Sequence, residues 1–369
     1  MRLVLAGGGT GGHLSPGIAI AERLAEQDPE LDLTFVCSCK PLDAHVLSAA
    51  GLTSCDLPTA PFPYGVSLQA AVSGVRLLGS LARAHRLLRK LRPQAVMGVG
   101  GYVSVPVVLA ARMLGIPTAI HVLDAQPDRA NLLLASRSRW ITVAFPETAA
   151  RFPADRTEVT GCPVRRSILE ASRTAAQEEL GLDPALVTVL VMGGSLGAHQ
   201  INAALVGALP VLLSRLPVQI IHLAGAGDYE QIAAETATIR ADQGRYRLLA
   251  FSDEMGQLLA AADLVVGRAG SSSMAEASGR GLPQILVPYP HAGGHQTANA
   301  LSLESVGGAI ILPNSECTPA ALSAQISALV ESESRRQQMA RMALRWAAPE
   351  AAERLAAGLL ALARGEKPN

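Results

Sequence analysis

The chain has 369 residues, of which 49% are hydrophobic and 17% are charged, and its formal net charge is +0. This length predicts two domains, and the lack of net positive charge argues against a nucleic-acid-binding protein. The five cysteines are odd in number and have no C-x-x-C spacing, which favours a reduced cytosolic protein without a structural zinc site. No apolar run reaches the roughly 18 residues of a membrane span, and the N-terminus is too short for a signal peptide.

A glycine-rich turn follows the first predicted strand, residues 3–6, and precedes a predicted helix at 18–24. Gly7, Gly9 and Gly12 spell G-x-G-x-x-G, a pattern that lets backbone N–H groups at a helix start bind an anion. The second strand, 33–36, has no carboxylate close after it, so a nicotinamide dinucleotide is disfavoured. His13 stands at the helix start and is either a group that touches substrate or an N-terminal ring without a chemical role.

Residues 57–123 contain no Asp or Glu. Within them, an amphipathic helical pattern over 66–91 places arginines and a lysine on a face apart from the leucines, and Gly74 and Gly79 predict a break in it. We expect the basic 66–92 stretch to lie on an anionic membrane surface. The alternative is an ordinary solvent-exposed helix face.

Strand and helix patterns alternate along the whole chain, with a restart near residue 187. Further glycine turns follow the strands predicted at 95–99, 187–192 and 264–266. This alternation predicts an α/β fold of two doubly wound parallel sheets, with ligands at the carboxyl ends of the strands and in the cleft between the domains. The other predicted strands lie at 117–122, 140–144, 159–164, 219–223, 246–250, 284–287 and 310–311.

Six motifs together resemble the bacterial N-acetylglucosaminyltransferases that form the peptidoglycan precursor lipid II. The motifs are GGGTGGH followed by Pro16, GVGGYVSVP, GCPVR, GGSLGA, RAGSSSMAE and HQTANAL. The resemblance covers nearly the whole chain. It implies inverting transfer of N-acetylglucosamine from UDP-N-acetylglucosamine to the muramoyl 4-hydroxyl of undecaprenyl-diphospho-muramoylpentapeptide, at the cytoplasmic face of the cell membrane by a peripheral protein.

The resemblance also implies the GT-B architecture of two Rossmann-like domains with an interdomain cleft. Residues 1–162 are expected to form the acceptor- and membrane-facing domain and 163–344 the nucleotide-sugar domain, with a C-terminal helix within 345–369 packing back on the first. The chain has no D-x-D motif, so we expect no metal and no cofactor. Helix N-termini behind Ser195 and Ser271 are expected to stabilise the leaving diphosphate instead.

By this resemblance the donor nucleotide is held by Arg165, Ser195 and a serine-rich helix start, with Ser252 near the base. Glu276 is expected to bond the ribose hydroxyls, although Ser273 and Glu276 also fit a capping box. Gln296 is expected to read the sugar hydroxyls, the alternative being a surface amide. The helix start comprises Ser271, Ser272, Ser273, Met274, Ala275 and Glu276.

Thr10, Gly11, Gly12 and His13 are expected to face the acceptor. His13 is the candidate general base, kept neutral by the helix N-terminus. The family usually has His-Glu-Gln-Asn where this chain has His121-Val122-Leu123-Asp124, so Asp124 is a second candidate for substrate contact or base. Because this change affects acceptor handling, two alternatives stay open: a related GT-B enzyme for another lipid or metabolite acceptor, and a non-catalytic nucleotide-sugar-binding paralogue.

Overall fold

The computed structural model describes residues 1–9, 11–59, 68–193, 198–239, 244–290 and 294–368, with the backbone alone at 11 and 68–75. The chain separates into two compact units. The first consists of Met1–Arg165 together with Pro349–Asn369, and the second of Arg166–Ala348.

The first unit contains a seven-stranded sheet in the order β3-β2-β1-β4-β5-β6-β7, in which every described pairing is parallel. The chain order reverses direction between β1 and β4, which is the switch point where such sheets bind ligands. The strands are β1 Arg2–Ala6, β2 Asp32–Cys37, β3 Ser54–Asp56, β4 Ala95–Gly98, β5 Thr118–Val122, β6 Trp140–Val143 and β7 Thr157–Val159.

Helices cover both faces of this sheet, because its central strands are buried on both sides and carry continuous apolar runs. The helices of the first unit are α1 Gly11–Gln27, α2 Pro41–Ala49, α3 Leu68–Leu91, α4 Ser104–Met113, α5 Arg129–Ala135 and α6 Pro146–Ala149, and a 3-10 turn lies at Ala154–Arg156.

Helix α3 is continuous, so the predicted break at Gly74 and Gly79 is wrong. A glycine inside a helix costs only about 1 kcal/mol relative to alanine, and α3 recovers this by packing Ala84 and Leu88 in a core cluster with α4. The strand predicted at 159–164 is also displaced, to Thr157–Val159. Gly161 has a φ of +82° and Pro163 lacks an N–H group, which together end the ladder.

The second unit contains a six-stranded parallel sheet in the order β10-β9-β8-β11-β12-β13. Its switch point lies between β8 and β11. Its strands are β8 Val187–Met192, β9 Val218–Leu223, β10 Tyr246–Leu249, β11 Leu264–Gly267, β12 Gln284–Leu286 and β13 Ala309–Ile311. Its described helices are α7 Arg166–Leu169, α8 Arg173–Glu179, α9 His199–Arg215, α10 Tyr229–Glu235, α11 Met255–Ala261, α12 Ser271–Gly279, α13 His295–Ser305, α14 Pro319–Val330 and α15 Glu333–Trp346, and a 3-10 turn lies at Asn314–Glu316.

The last helix, α16 at Ala351–Ala363, belongs to the first unit, where it packs on α1. Trp140 lies against Gly358, and Glu158 accepts hydrogen bonds from Trp140 Nε1 at 3.1 Å and from Arg354 at 2.6 Å. Residues 345 and 346 remain in the second unit at the end of α15, which ends before Pro349 because a residue preceding proline is disfavoured in a helix.

Among the described residues, no helix is both long enough and apolar enough to cross a bilayer.

Candidate active site

Two glycine turns meet at the switch point of the first sheet. Gly8 and Gly9 follow β1, Gly100 and Gly101 follow β4, and all four have positive φ. The turns approach so closely that a Cβ at Gly101 would come within 2.1 Å of the Gly8 carbonyl oxygen. Only glycine fits such an approach, so backbone lines this part of the surface at the carboxyl ends of β1 and β4.

A buried carboxylate holds the first turn in place. Asp43 Oδ2 accepts hydrogen bonds from the Gly9 N–H at 2.7 Å and from Ser38 Oγ at 2.6 Å, and the Lys40 ammonium donates to the Gly9 carbonyl. Asp43 is fully buried. These contacts make Asp43 a brace for the glycine turn, a role that was not predicted from the sequence. The feature that identifies this role is an aspartate that is buried in the first turn of α2.

His13 lies in the first turn of α1 and is half-buried, with its ring against Gly100. Burial lowers the pKa of His13 below its usual 6.5, while the charges of Asp124, Asp128 and Asp43 raise it, and burial prevails. A neutral imidazole is therefore the resting form at pH 7. Desolvation thus acts in the same direction as the helix N-terminus, which was the cause expected from the sequence.

Because the charge of Asp124 raises the pKa of His13, the two candidate bases lie within electrostatic reach of each other, Asp124 after the carboxyl end of β5 and His13 at the start of α1. Of the two apolar replacements before Asp124, Val122 lies in the core cluster around β5 and Leu123 is 5% exposed. Their side chains therefore serve packing in this fold.

His121 is a buried group beside this site. Thr142 Oγ1 donates to the Ile120 carbonyl at 3.1 Å and pairs with His121 Nδ1 at 2.9 Å, which makes Nδ1 the protonated nitrogen. Burial lowers the pKa of His121 to about 3, so the ring is neutral at physiological pH.

The other first-unit predictions have mixed outcomes. Gly11 begins α1, and Gly12 is exposed. Arg165 ends the first unit and has a buried Nε–H that no atom of the described residues accepts. Thr10 lies outside the described residues, as does Ser195 of the second unit.

In the second unit, α12 begins at Ser271 with Gly270 as its N-cap, and no side chain caps it. Within the part of the chain that the structure describes, a Cβ at Gly270 would meet nothing within 4 Å. The first N–H groups of a helix have no partners inside it. Ser271 and Ser272 are buried at this end, which is an arrangement suited to a phosphate.

The helix start rules out the capping-box interpretation of Glu276. That box requires Ser273 at the N-cap, whereas Ser273 is the third residue of the helix. Glu276 is 8% exposed, in the second turn. Met274 packs in a core cluster and Ala275 is 4% exposed, so a ligand contact of Met274 is possible only through its backbone.

Gln296 lies in the first turn of α13, where its Oε1 accepts from the Tyr289 N–H at 2.8 Å. The amide therefore fixes the loop after β12. Arg268, which the sequence analysis quoted in a motif without a role, lies 5.3 Å from the centre of the Tyr289 ring and donates to Asn314 Oδ1 at 2.7 Å. Ser252 Oγ accepts from the Glu254 N–H at 3.1 Å, which shapes the turn before α11.

Two family models match this sequence. The glycosyltransferase family 28 N-terminal domain matches residues 3–141, and the glycosyltransferase family 28 C-terminal domain matches residues 188–355. The two matches together cover both units of the structure.

Two curated relatives are similar over nearly their whole length. A protein of Moorella thermoacetica named UDP-N-acetylglucosamine--N-acetylmuramyl-(pentapeptide) pyrophosphoryl-undecaprenol N-acetylglucosamine transferase is 37% identical over 358 residues, with 96% of each chain covered. A protein of the same name from Geobacter sulfurreducens is 36% identical over 371 residues, with 100% of each chain covered. The crystal structure of Acinetobacter baumannii MurG has a TM-score of 0.73 and 28% identity, covering 97% of this chain and 99% of that one.

Proposed function

Because this chain belongs to glycosyltransferase family 28, in the group of N-acetylglucosamine transferases named above, we propose that it forms lipid II. It transfers N-acetylglucosamine from UDP-N-acetylglucosamine to the muramoyl 4-hydroxyl of undecaprenyl-diphospho-muramoylpentapeptide, a step of peptidoglycan synthesis. This proposal rests on the sequence similarity to the two relatives, which extends over nearly the whole length of each chain. The two Rossmann-ordered sheets agree with the GT-B fold of the family.

The donor is held by the second unit in this proposal. The N–H groups at the start of α12 and the hydroxyls of Ser271 and Ser272 face the diphosphate, and the helix dipole stabilises its charge. Glu276, one turn further on, accepts from the ribose hydroxyls. Arg165, Gln296, Ser252 and Ser195 complete the donor set that the family resemblance predicts.

The acceptor is held by the first unit. The muramoyl 4-hydroxyl oxygen attacks the anomeric carbon while neutral His13 takes the hydroxyl proton. The bond from the anomeric carbon to the UDP oxygen breaks as the new glycosidic bond forms, so the configuration inverts. Asp124 stabilises the imidazolium that results, because its negative charge favours the protonated ring. Thr10, Gly11 and Gly12 belong to the same predicted surface.

The membrane contact is assigned to α3. Its basic side chains are exposed, and Leu78 among them is 67% exposed. An exposed apolar residue within a basic face suits the interface of an anionic bilayer. The enzyme is thus a peripheral protein on the cytoplasmic leaflet, where its lipid-linked acceptor is anchored. The basic residues are Arg76, Arg83, Arg86, Arg89 and Lys90.

The test is transfer of labelled N-acetylglucosamine from its UDP donor to a short-chain analogue of the lipid-linked muramoylpentapeptide, with and without a chelator. We expect chelator-resistant transfer with inversion at the anomeric carbon. Donor binding without transfer to this acceptor would overturn the acceptor assignment. Absence of donor binding by a folded protein would overturn the whole proposal.

A further inference from the structure

The second unit has a polar cavity of about 340 Å³ at the edge of the sheet opposite the predicted donor loops. Its floor is formed by residues that precede β11 and β12, including Asp263 and Pro283. The predicted donor loops follow the carboxyl ends of those same strands. Such a volume is at the lower end of the range for small-molecule sites.

Three arginines from three different segments line this cavity. Arg173 begins α8, Arg280 follows α12, and Arg336 lies in the first turn of α15. They outnumber the two carboxylates of the lining, those of Asp263 and Glu333. A cavity with this composition has a surplus of positive charge.

Both carboxylates already have partners. Asp263 accepts from Arg173 at 2.7 Å and from the Thr188 N–H at 2.8 Å. Glu333 accepts from Gln337 on the next turn of α15 at 2.9 Å. Among the described residues, neither Arg280 nor Arg336 forms an ion pair with either acid.

The remaining arginines are fixed in place by backbone carbonyls. Arg280 donates to the Leu169 carbonyl at 2.6 Å, and Arg336 donates to the carbonyls of Leu329 and Val330 at 2.6 and 2.7 Å. These bonds hold the two guanidinium groups in position without using either acid of the cavity lining.

The electrostatic environment of Arg280 also favours an anion in the cavity. Burial lowers its pKa below the usual value, and the positive charge of Arg173 lowers it further. Two like charges held near one another are stabilised when an anion lies between them. The planar guanidinium group matches the oxygens of a phosphate in two-point hydrogen bonds.

We propose that this cavity is an anion site for a small phosphorylated molecule, separate from the donor site and lined by Arg173, Arg280 and Arg336. A bound phosphoryl group contacts the guanidinium groups of these three arginines. Because the cavity lies at the amino ends of β11 and β12, occupancy acts on the strands whose other ends lead to α12 and α13, respectively. The site is thus placed to modulate donor binding.

The test is calorimetric titration of the full-length protein with inorganic pyrophosphate in the presence of saturating UDP, which occupies the donor site. We expect one pyrophosphate per chain, with an affinity that falls about tenfold in Arg280→Gln, because one charge-assisted contact is lost. Arg280→Lys keeps the charge but loses the guanidinium fork, and we expect it to have intermediate affinity. If the Gln variant does not fold, the pyrophosphate affinity of the Lys variant alone tests the proposal.

Arg335→Gln is the matched control, since Arg335 is exposed on α15 beside Arg336 and does not line the cavity. It should bind pyrophosphate as the unmodified protein does. The proposal is overturned if no pyrophosphate binds when UDP is saturating, or if both Arg280 variants bind it with unchanged affinity. Either result leaves the transferase proposal untouched, because that proposal is tested by sugar transfer.

Discussion

The imidazole of His13 lies against the α-carbon of Gly100, so closely that a methyl group there would come within 2.5 Å of His13 Cδ2. Gly100 also has a φ of +107°. We therefore expect Gly100→Ala to displace the His13 ring and to lower kcat about 100-fold, which is the usual effect of a small misplacement of a reacting group. Steady-state kinetics with the lipid-linked acceptor analogue checks this.

Gly115→Ala is the matched control for that substitution. Gly115 has a φ of +73°, and a Cβ there would meet nothing within 4 Å. The control places a Cβ on a backbone of positive φ without the contact. We expect nearly normal turnover from it, and donor binding should be normal in both variants. Equal loss of turnover in the two variants would mean that strain, and not the His13 contact, is responsible.

The pH profile distinguishes the two candidate bases. Since the pKa of His13 is lowered by burial, the neutral base should persist below pH 6.5 and kcat/KM should fall only at a more acidic pH. The charge of Asp124 raises that pKa, so Asp124→Asn should move the acidic limb to still lower pH while some rate remains. Loss of transfer at every pH in Asp124→Asn, with donor binding intact, would instead assign the base to Asp124.

The role of Glu276 is tested by comparing Glu276→Gln with Ser273→Ala. The Gln variant keeps the shape of the side chain but loses the charge, so the donor KM should rise about tenfold or more. Ser273→Ala should have little effect on stability, because Ser273 lies inside α12 and caps nothing. A lower melting temperature of Glu276→Gln with an unchanged donor KM would argue for a purely structural role.

Charge reversal on α3 tests the membrane surface. Arg83→Glu, Arg86→Glu and Lys90→Glu together should abolish binding to vesicles that contain phosphatidylglycerol, while transfer to a water-soluble acceptor stays normal. These side chains are exposed and form no ion pair among the described residues. The matched control carries Arg335→Glu, Arg341→Glu and Arg345→Glu on α15, with the same change of charge. Equal vesicle binding by both triple variants would contradict the assignment.

Stability should decrease in acid because His222 is buried in its neutral form. Burial lowers its pKa to about 4, and its ring bonds to Tyr246 and Asn202. Since the unfolded chain binds the proton first, His222 alone should reduce the free energy of unfolding by about 1.4 kcal/mol per pH unit between pH 6.5 and 4. Urea denaturation at several pH values checks this, and His222→Gln should have a shallower slope. An unchanged slope would contradict it.

The strands near the switch points were predictable because parallel strands buried on both faces are short apolar runs followed by glycine turns. The extent of α3 was not, because single glycines count against a helix in sequence, whereas the packing of Ala84 and Leu88 compensates for them. Likewise, residues 159–164 have the sequence pattern of one strand, but Gly161 lies within them and its positive φ interrupts the extended backbone. Tertiary packing and backbone conformation decided both cases.

His13 and Glu276 were chosen from the sequence because their residue types carry chemistry by themselves, and their roles stay predictions. The bracing of Gly9 by Asp43 was not predictable, since it depends on a contact between residues 34 positions apart. The burial of Val122 also depends on the fold, so its replacement of a polar family residue looked functional in the sequence. The roles of Asp43 and Val122 follow from the residues that surround them in the fold, and a single sequence does not show which residues those are.

The return of α16 to the first unit has a consequence for synthesis on the ribosome. Trp140 packs on Gly358, so the first sheet lacks part of its cover until almost the whole chain has been translated. At about 5–20 residues per second, this interval lasts about 10–45 s. During that time the second unit, which is contiguous in sequence, emerges complete. The domain made first is therefore the one that finishes folding last.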